Sequence, residues 1–188
     1  SADFRLQALR YRIPRIDAVI VSHAHADHVF GMDELRQYNR LQENSTINIY
    51  ARDFVIDDLS HIFSYIANYK PSANSQMYRP QLSFCTLPQD PYKIGPFTIE
   101  SVILPHGPAK STGLKISAHG KTFAIASDCN EFTTEATNLF SSVDFLLLDG
   151  LRYRPHPSHL NIEDSVALMK KKKKKIGRFI HISHDILH

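Results

Sequence analysis

No run in the 188 residues approaches the roughly 18 consecutive apolar side chains that a membrane helix needs, so no membrane partner is expected. No basic-then-apolar leader pattern opens the sequence. Cysteine is scarce: Cys85 and Cys129 stand far apart, with no CxxC spacing. Two such thiols build neither a disulfide scaffold nor a thiolate zinc site, and a reducing cytoplasm is the expected setting. An excess of one charge is also lacking. The net charge of +3 is too small to argue for nucleic acid, which is not a favoured partner. Apolar residues, at 43%, suffice for a core without covalent staples, and the length suits a single domain over 1–188. Histidine is plentiful. There are eleven, most of them at motif-like places.

Residues 16–21 form a short β-branched run ending at Ser22, the pattern of a buried strand. Over 27–43, Val29, Met32, Leu35, Tyr38 and Leu41 recur at three-residue steps and predict a helix. Residues 46–51 read as a strand, and 53–69 as a second helix with apolar Phe54, Ile56, Leu59, Ile62, Phe63 and Ile66. A Pro-rich stretch at 70–91, with several Ser, Asn and Gln, reads as a loop or lid with one short strand near 82–87. Strands at 92–94 and 97–104 flank Gly95-Pro96. Strands at 113–118 and 122–126 flank His119-Gly120, a two-residue hairpin turn. Residues 143–148 read as a buried strand and 161–175 as a helix capped by Asn161, with a last strand at 178–182. Helices and strands are mixed throughout, so the class is α/β (α+β).

Ser22-His23-Ala24-His25-Ala26-Asp27-His28 follows the first strand directly and contains HxHxDH. Imidazole nitrogen and carboxylate oxygen are the usual ligands of zinc and similar metals. On an extended turn His23 and His25 project the same way, and Asp27 and His28 follow where the chain bends into a helix. Four such groups in six residues suit two adjacent ions better than one. By chance, chains of this length and composition would contain the pattern in roughly two or three cases per thousand.

Strand, SHAHADH and helix, continued by Val29-Phe30-Gly31-Met32-Asp33-Glu34-Leu35-Arg36, resemble the signature loop of the metallo-β-lactamase superfamily. The resemblance implies an αβ/βα sandwich, here lacking the family's first N-terminal strands. It also implies two divalent metal ions, zinc favoured, with manganese or iron also compatible. The family's later ligands then fall on His106 in Leu104-Pro105-His106-Gly107, on Asp128 after Ala124-Ile125-Ala126-Ser127, and on His181 in Phe179-Ile180-His181-Ile182-Ser183. His181 is preferred because it is read as lying inside the last strand; His184 is the reserve. The metal set is therefore His23, His25, Asp27, His28, His106, Asp128 and His181.

His159, 22 residues before His181, resembles the histidine that serves the scissile phosphate in the branch holding tRNase Z and the phosphoribosyl cyclic phosphate phosphodiesterases. The wording Arg152-Tyr153-Arg154-Pro155-His156-Pro157-Ser158-His159 stands closer to the cyclic phosphate side. The implied activity is a metal-dependent phosphodiesterase with Asp27 and His159 catalytic, acting on a small, nucleotide-like substrate. Asp149 would orient His159, and Arg152 and Arg154 would hold a phosphate. A lactone, thioester or β-lactam hydrolase, and a non-catalytic metal- or RNA-binding domain, remain alternatives. Homodimerisation is left open. The lysine run 170–175 reads as a solvated helix end.

Overall fold

The computed structural model describes residues 1–68, 79–171 and 176–186. The expectations for the first part of the Pro-rich stretch, for most of the lysine run and for His188 lie outside these residues. The chain divides into two compact units, Ser1–Leu87 and Pro88–His188. Among the described residues no helix is long and apolar enough to cross a membrane.

In the first unit, β1 (Ala18–Ile20), β2 (Ile47–Ala51) and β3 (Leu82–Thr86) form a parallel sheet in that order. Parallel neighbours need crossovers. The first is made by α2 (Ala26–Val29), a 3₁₀ turn (Met32–Glu34) and α3 (Leu35–Leu41), the second by α4 (Asp53–Ile62) and α5 (Ser64–Ala67). The first helix, α1 (Phe4–Tyr11), precedes the sheet and was not foreseen. On β2, Ile47, Ile49 and Ala51 are fully buried while Asn48 and Tyr50 are half-buried, the period-two signature of a strand. Val29, Met32, Leu35 and Tyr38 pack into the core of this unit as their spacing predicts. Leu41 does not; it is 71% exposed. Neither expected helix is continuous. Gly31, a poor helix former, sits in the break between α2 and the 3₁₀ turn. Buried Phe63 leaves helical geometry (φ −105°, ψ 44°) between α4 and α5.

The second unit carries six strands in the order β4 (Tyr92–Ile94), β5 (Phe97–His106), β6 (Ala109–Ala118), β7 (Lys121–Ala126), β8 (Phe145–Asp149) and β9 (Ile176–Ile180). The first four run antiparallel to one another, and β7, β8 and β9 run parallel. The β6–β7 hairpin turns on His119 (φ 49°) and Gly120 (φ 70°), the two left-handed residues a type I′ turn requires. The β7–β8 crossover holds α6 (Thr134–Leu139), an unforeseen helix whose N-cap Thr133 accepts a hydrogen bond from the Ala136 N–H at 3.1 Å. The β8–β9 crossover holds α7 (Ile162–Lys171), where the Asn161 side chain accepts from the Asp164 N–H at 2.9 Å, as its capping pattern predicts. Val102, Leu104, Ala124, Ala126, Phe140, Leu146 and Leu148 form the core, with Leu168 and Met169 packed against it.

One expectation fails here with consequences for the site. The last strand ends at Ile180, so His181 lies just beyond it. Its φ of 58° is left-handed, a conformation that cannot continue a β-ladder.

Leu148 is fully buried on β8, between β7 and β9. Leu148→Ala is expected to cost about 2–5 kcal/mol, by lost burial and the cavity left behind. A fall in the urea midpoint at unchanged slope checks it.

Candidate metal centre

In the first unit the chain leaves β1, bends at Ser22 and is extended at His25, the N-cap of α2 (φ −63°, ψ 149°). The His28 N–H closes the first turn onto the His25 carbonyl at 3.0 Å, and buried Val29 anchors that turn in the core. This local course gathers the motif. The His23 ring lies 4.5 Å from His25, edge-on, and 4.2 Å from His28, centroid to centroid. His28 Nε2 is 3.1 Å from the Asp27 carboxylate. His23 is buried, with Nδ1 at 3.1 Å from the Ser22 hydroxyl, while His25 and Asp27 are exposed.

In the second unit three strand ends deliver the remaining residues. Val102, Leu104 and His106 share the buried face of β5 by period two, so the core alternation itself carries His106 inward. Ala124 and Ala126 do the same on β7, and buried Asp128 continues the series in the left-handed region (φ 51°). Asp128 Oδ2 stands 3.3 Å from His181 Nε2 and 3.9 Å from His106 Nε2. The longer distance exceeds a hydrogen bond. Two donors so spaced suit ligation of a common ion. The His106 tautomer agrees: its Nδ1 lies 2.7 Å from the Ser158 carbonyl. A carbonyl only accepts, so Nδ1 carries the proton and Nε2 is the metal-binding form. The donor set in both units thus fits divalent metal.

His159 sits among these groups. Its ring is 4.7 Å from His106, edge-on, and 4.9 Å from His181, stacked at 11°. Its Nδ1 lies 2.8 Å from Oδ2 of Asp149, which is fully buried at the end of β8. The same oxygen accepts the Cys129 N–H at 3.0 Å.

The arginines lie differently. Arg154 pairs with Asp185 at 2.8 Å, and Arg152 donates to the Pro155 carbonyl at 3.3 Å. The Arg154 hydrogen bond holds the Asp185 carboxyl below its ordinary value. His184, the reserve ligand, is 97% exposed and also lies by Asp185.

Four contributors escaped sequence reading. The Ser158 carbonyl orients His106. Asn130 Oδ1 accepts the Gly107 N–H at 3.0 Å, while the Asn130 N–H donates to the Pro105 carbonyl, so the loops after β5 and β7 are tied together. Buried Ser165 on α7 donates to the Asp149 carbonyl at 2.5 Å. Cys129 contributes its backbone. The only signal in the letters was that Ser158 adjoins His159 and that Cys129 and Asn130 follow Asp128; Ser165 had none.

Imidazoles and carboxylates set at strand ends of an α/β protein define a candidate divalent-metal protein. Residues 1–182 match the family model of the β-lactamase superfamily domain, and the chain belongs to that family, with the metallo-β-lactamase fold. It is 30% identical to a diphosphatase from the PhnP family of known crystal structure, with a TM-score of 0.84, covering 99% of this chain and 68% of that one. An octanoyltransferase of Porphyromonas gingivalis is 32% identical over 186 residues, 98% of this chain, but the chain spans only 36% of that protein's length. Human tRNase Z, short form, shares the fold at 18% identity and a TM-score of 0.71, over 96% of this chain and 79% of its own.

Two outcomes follow. An added Cβ at Gly107 (φ 61°) would stand 2.9 Å from Ser158 Cβ. Gly107→Ala is expected to displace the Ser158 carbonyl from His106 and weaken divalent-metal affinity roughly 10–100-fold, the usual cost of losing such support; a competitive chelator titration measures it. Burial pushes the Cys129 thiol well above its ordinary value, and the Asp149 and Asp128 carboxylates push the same way. A disulfide reagent at pH 8 is expected to titrate half-buried Cys85 first and Cys129 only on unfolding.

Proposed function

We propose that this hydrolase is a two-metal phosphodiesterase acting on a cyclic phosphate or a nucleotide-like phosphodiester, the two units serving as one catalytic domain. In this reading His23, His25 and His106 hold one ion, Asp27, His28 and His181 hold the other, and Asp128 serves both. When bound, two divalent ions supply Lewis acidity and a water that ionises near neutral pH.

The observation that carries the phosphate reading is the buried Asp149–His159 pair. A buried carboxylate facing Nδ1 fixes the ring and its tautomer, which leaves Nε2 as the atom for proton transfer to a leaving oxygen. Hydrolysis of a lactone or lactam asks for no phosphate-facing acid. Similarity to the PhnP-family diphosphatase supports the same chemistry. A second reading, cleavage of an acyl ester or thioester at the same centre, draws on the relative named as an octanoyltransferase. That name belongs to a protein about three times as long. The arginines support binding less directly, since Arg154 is engaged by Asp185.

Protein purified without chelator is expected to carry about two metal ions per chain and to hydrolyse bis(p-nitrophenyl) phosphate faster than p-nitrophenyl octanoate. The reverse preference would establish the acyl reading; metal without turnover on either would leave a binding domain; no metal would overturn both. His159→Ala is expected to keep the metal and lose roughly 10²–10⁴-fold in phosphodiesterase rate, the scale of one general acid. Loss of metal from this variant would make His159 a ligand instead.

A further inference from the structure

His156 belongs to none of the roles above, yet its ring centroid lies 5.0 Å from that of His159, tilted by 57°. Its chemistry is settled by its partner. The Ser158 backbone N–H meets His156 Nδ1 at 3.3 Å, and the Ser158 hydroxyl meets the same atom at 3.2 Å. A backbone N–H can only donate. Nδ1 is therefore an acceptor, and in the neutral ring the proton must sit on Nε2. Burial lowers the affinity of this ring for a second proton, and the neighbouring His159 and Arg152 lower it further. The neutral tautomer thus prevails near pH 7. His156 is a fixed Nε2–H donor, half-buried beside the proposed acid and in the same loop.

One residue sets both neighbours of His159. Ser158 gives its carbonyl to His106 and its N–H and hydroxyl to His156. The same peptide segment thereby makes one histidine an Nε2 lone pair and the other an Nε2–H. A ring held this way, on a loop stiffened by Pro155 and Pro157, is pre-organised to bind an acceptor. Arg152 adds a positive charge nearby that favours an anionic one.

We infer that His156 is a substrate-binding residue of this site, donating Nε2–H to an anionic oxygen of the bound phosphate ester while His159 supplies the proton. The inference rests on the proposed phosphodiesterase reading but has a readout of its own, because inorganic phosphate presents the same oxygens.

The test compares wild type, His156→Ala and His156→Gln, all zinc-loaded, in phosphate titration by calorimetry and in steady-state hydrolysis of bis(p-nitrophenyl) phosphate. His156→Ala is expected to keep its metal and its unfolding midpoint, to weaken phosphate binding and raise KM roughly tenfold, the scale of one hydrogen bond to a charged acceptor, and to change kcat by no more than about twofold. His156→Gln, whose amide restores a donor, is expected to recover part of the loss. Unchanged phosphate affinity and KM in His156→Ala would overturn the inference, as would a Gln variant no better than Ala, which would make the ring a packing element. If wild type binds phosphate through His156 but hydrolyses no phosphodiester, the proposed function fails and this inference stands. If it hydrolyses the diester and His156→Ala matches it, only this inference fails. Absence of phosphate binding in wild type would overturn it too.

Discussion

The site in the second unit hangs on one buried carboxylate. Asp149 is fully buried, and a single oxygen, Oδ2, receives both the His159 ring and the Cys129 N–H. Burying a charge is expensive unless it is hydrogen-bonded, so these donors are required as much as they are positioned. The consequence runs in both directions along the chain. Cys129 follows Asp128, and its carbonyl accepts the Leu160 N–H at 2.7 Å, next to His159. Buried Ser165 reaches the Asp149 carbonyl from α7. The loops after β7 and β8 are thus clamped at two adjacent residues, and a candidate ligand and a candidate proton donor share one support.

The backbone records what that arrangement costs. Asp128 and His181 both take positive φ, 51° and 58°. Non-glycine residues avoid this region, at a cost on the order of 1–2 kcal/mol each. Two other left-handed residues have ordinary reasons: Arg12 is the C-cap of α1, and His119 serves the β6–β7 hairpin. Asp128 and His181 each stand just past the end of a strand, with carboxylate and imidazole 3.3 Å apart. Glycine would relieve the strain and remove both candidate ligands.

Much of this was legible in the letters, and what was not shares a physical cause. HxHxDH stood out because four chemically similar side chains cluster at a strand end, and β2, β7 and β8 stood out by their apolar runs. Two of the three hairpins were visible through Gly95 and Gly120, and the start of α7 through Asn161. The long helices at 27–43 and 53–69 were over-read because periodicity registers the buried face and not the breaks near Gly31 and at Phe63. His181 was placed inside its strand because Ile180 and Ile182 flank it; hydrophobicity does not encode φ. The supports of the site were invisible for a stricter reason. Carbonyls and N–H groups are the same in every residue, so no letter marks the Ser158 carbonyl or the Cys129 N–H as the group that counts.

Those anonymous groups are what differentiate the histidines. The His159 ring lies 4.7 Å from His106 and 5.0 Å from His156, yet each of the three meets a partner of different kind. A carbonyl leaves His106 with a basic Nε2. An N–H leaves His156 with a protonated Nε2. A buried carboxylate oxygen, which can only accept, holds the Nδ1 side of His159. Acceptor and donor at Nε2 are alternatives open to every imidazole, and composition alone cannot distribute them. The fold does so by choosing which backbone or carboxylate atom faces each Nδ1, and in two of the three cases that atom belongs to Ser158. A cluster of identical rings becomes a site with divided labour only because its supports are unlike.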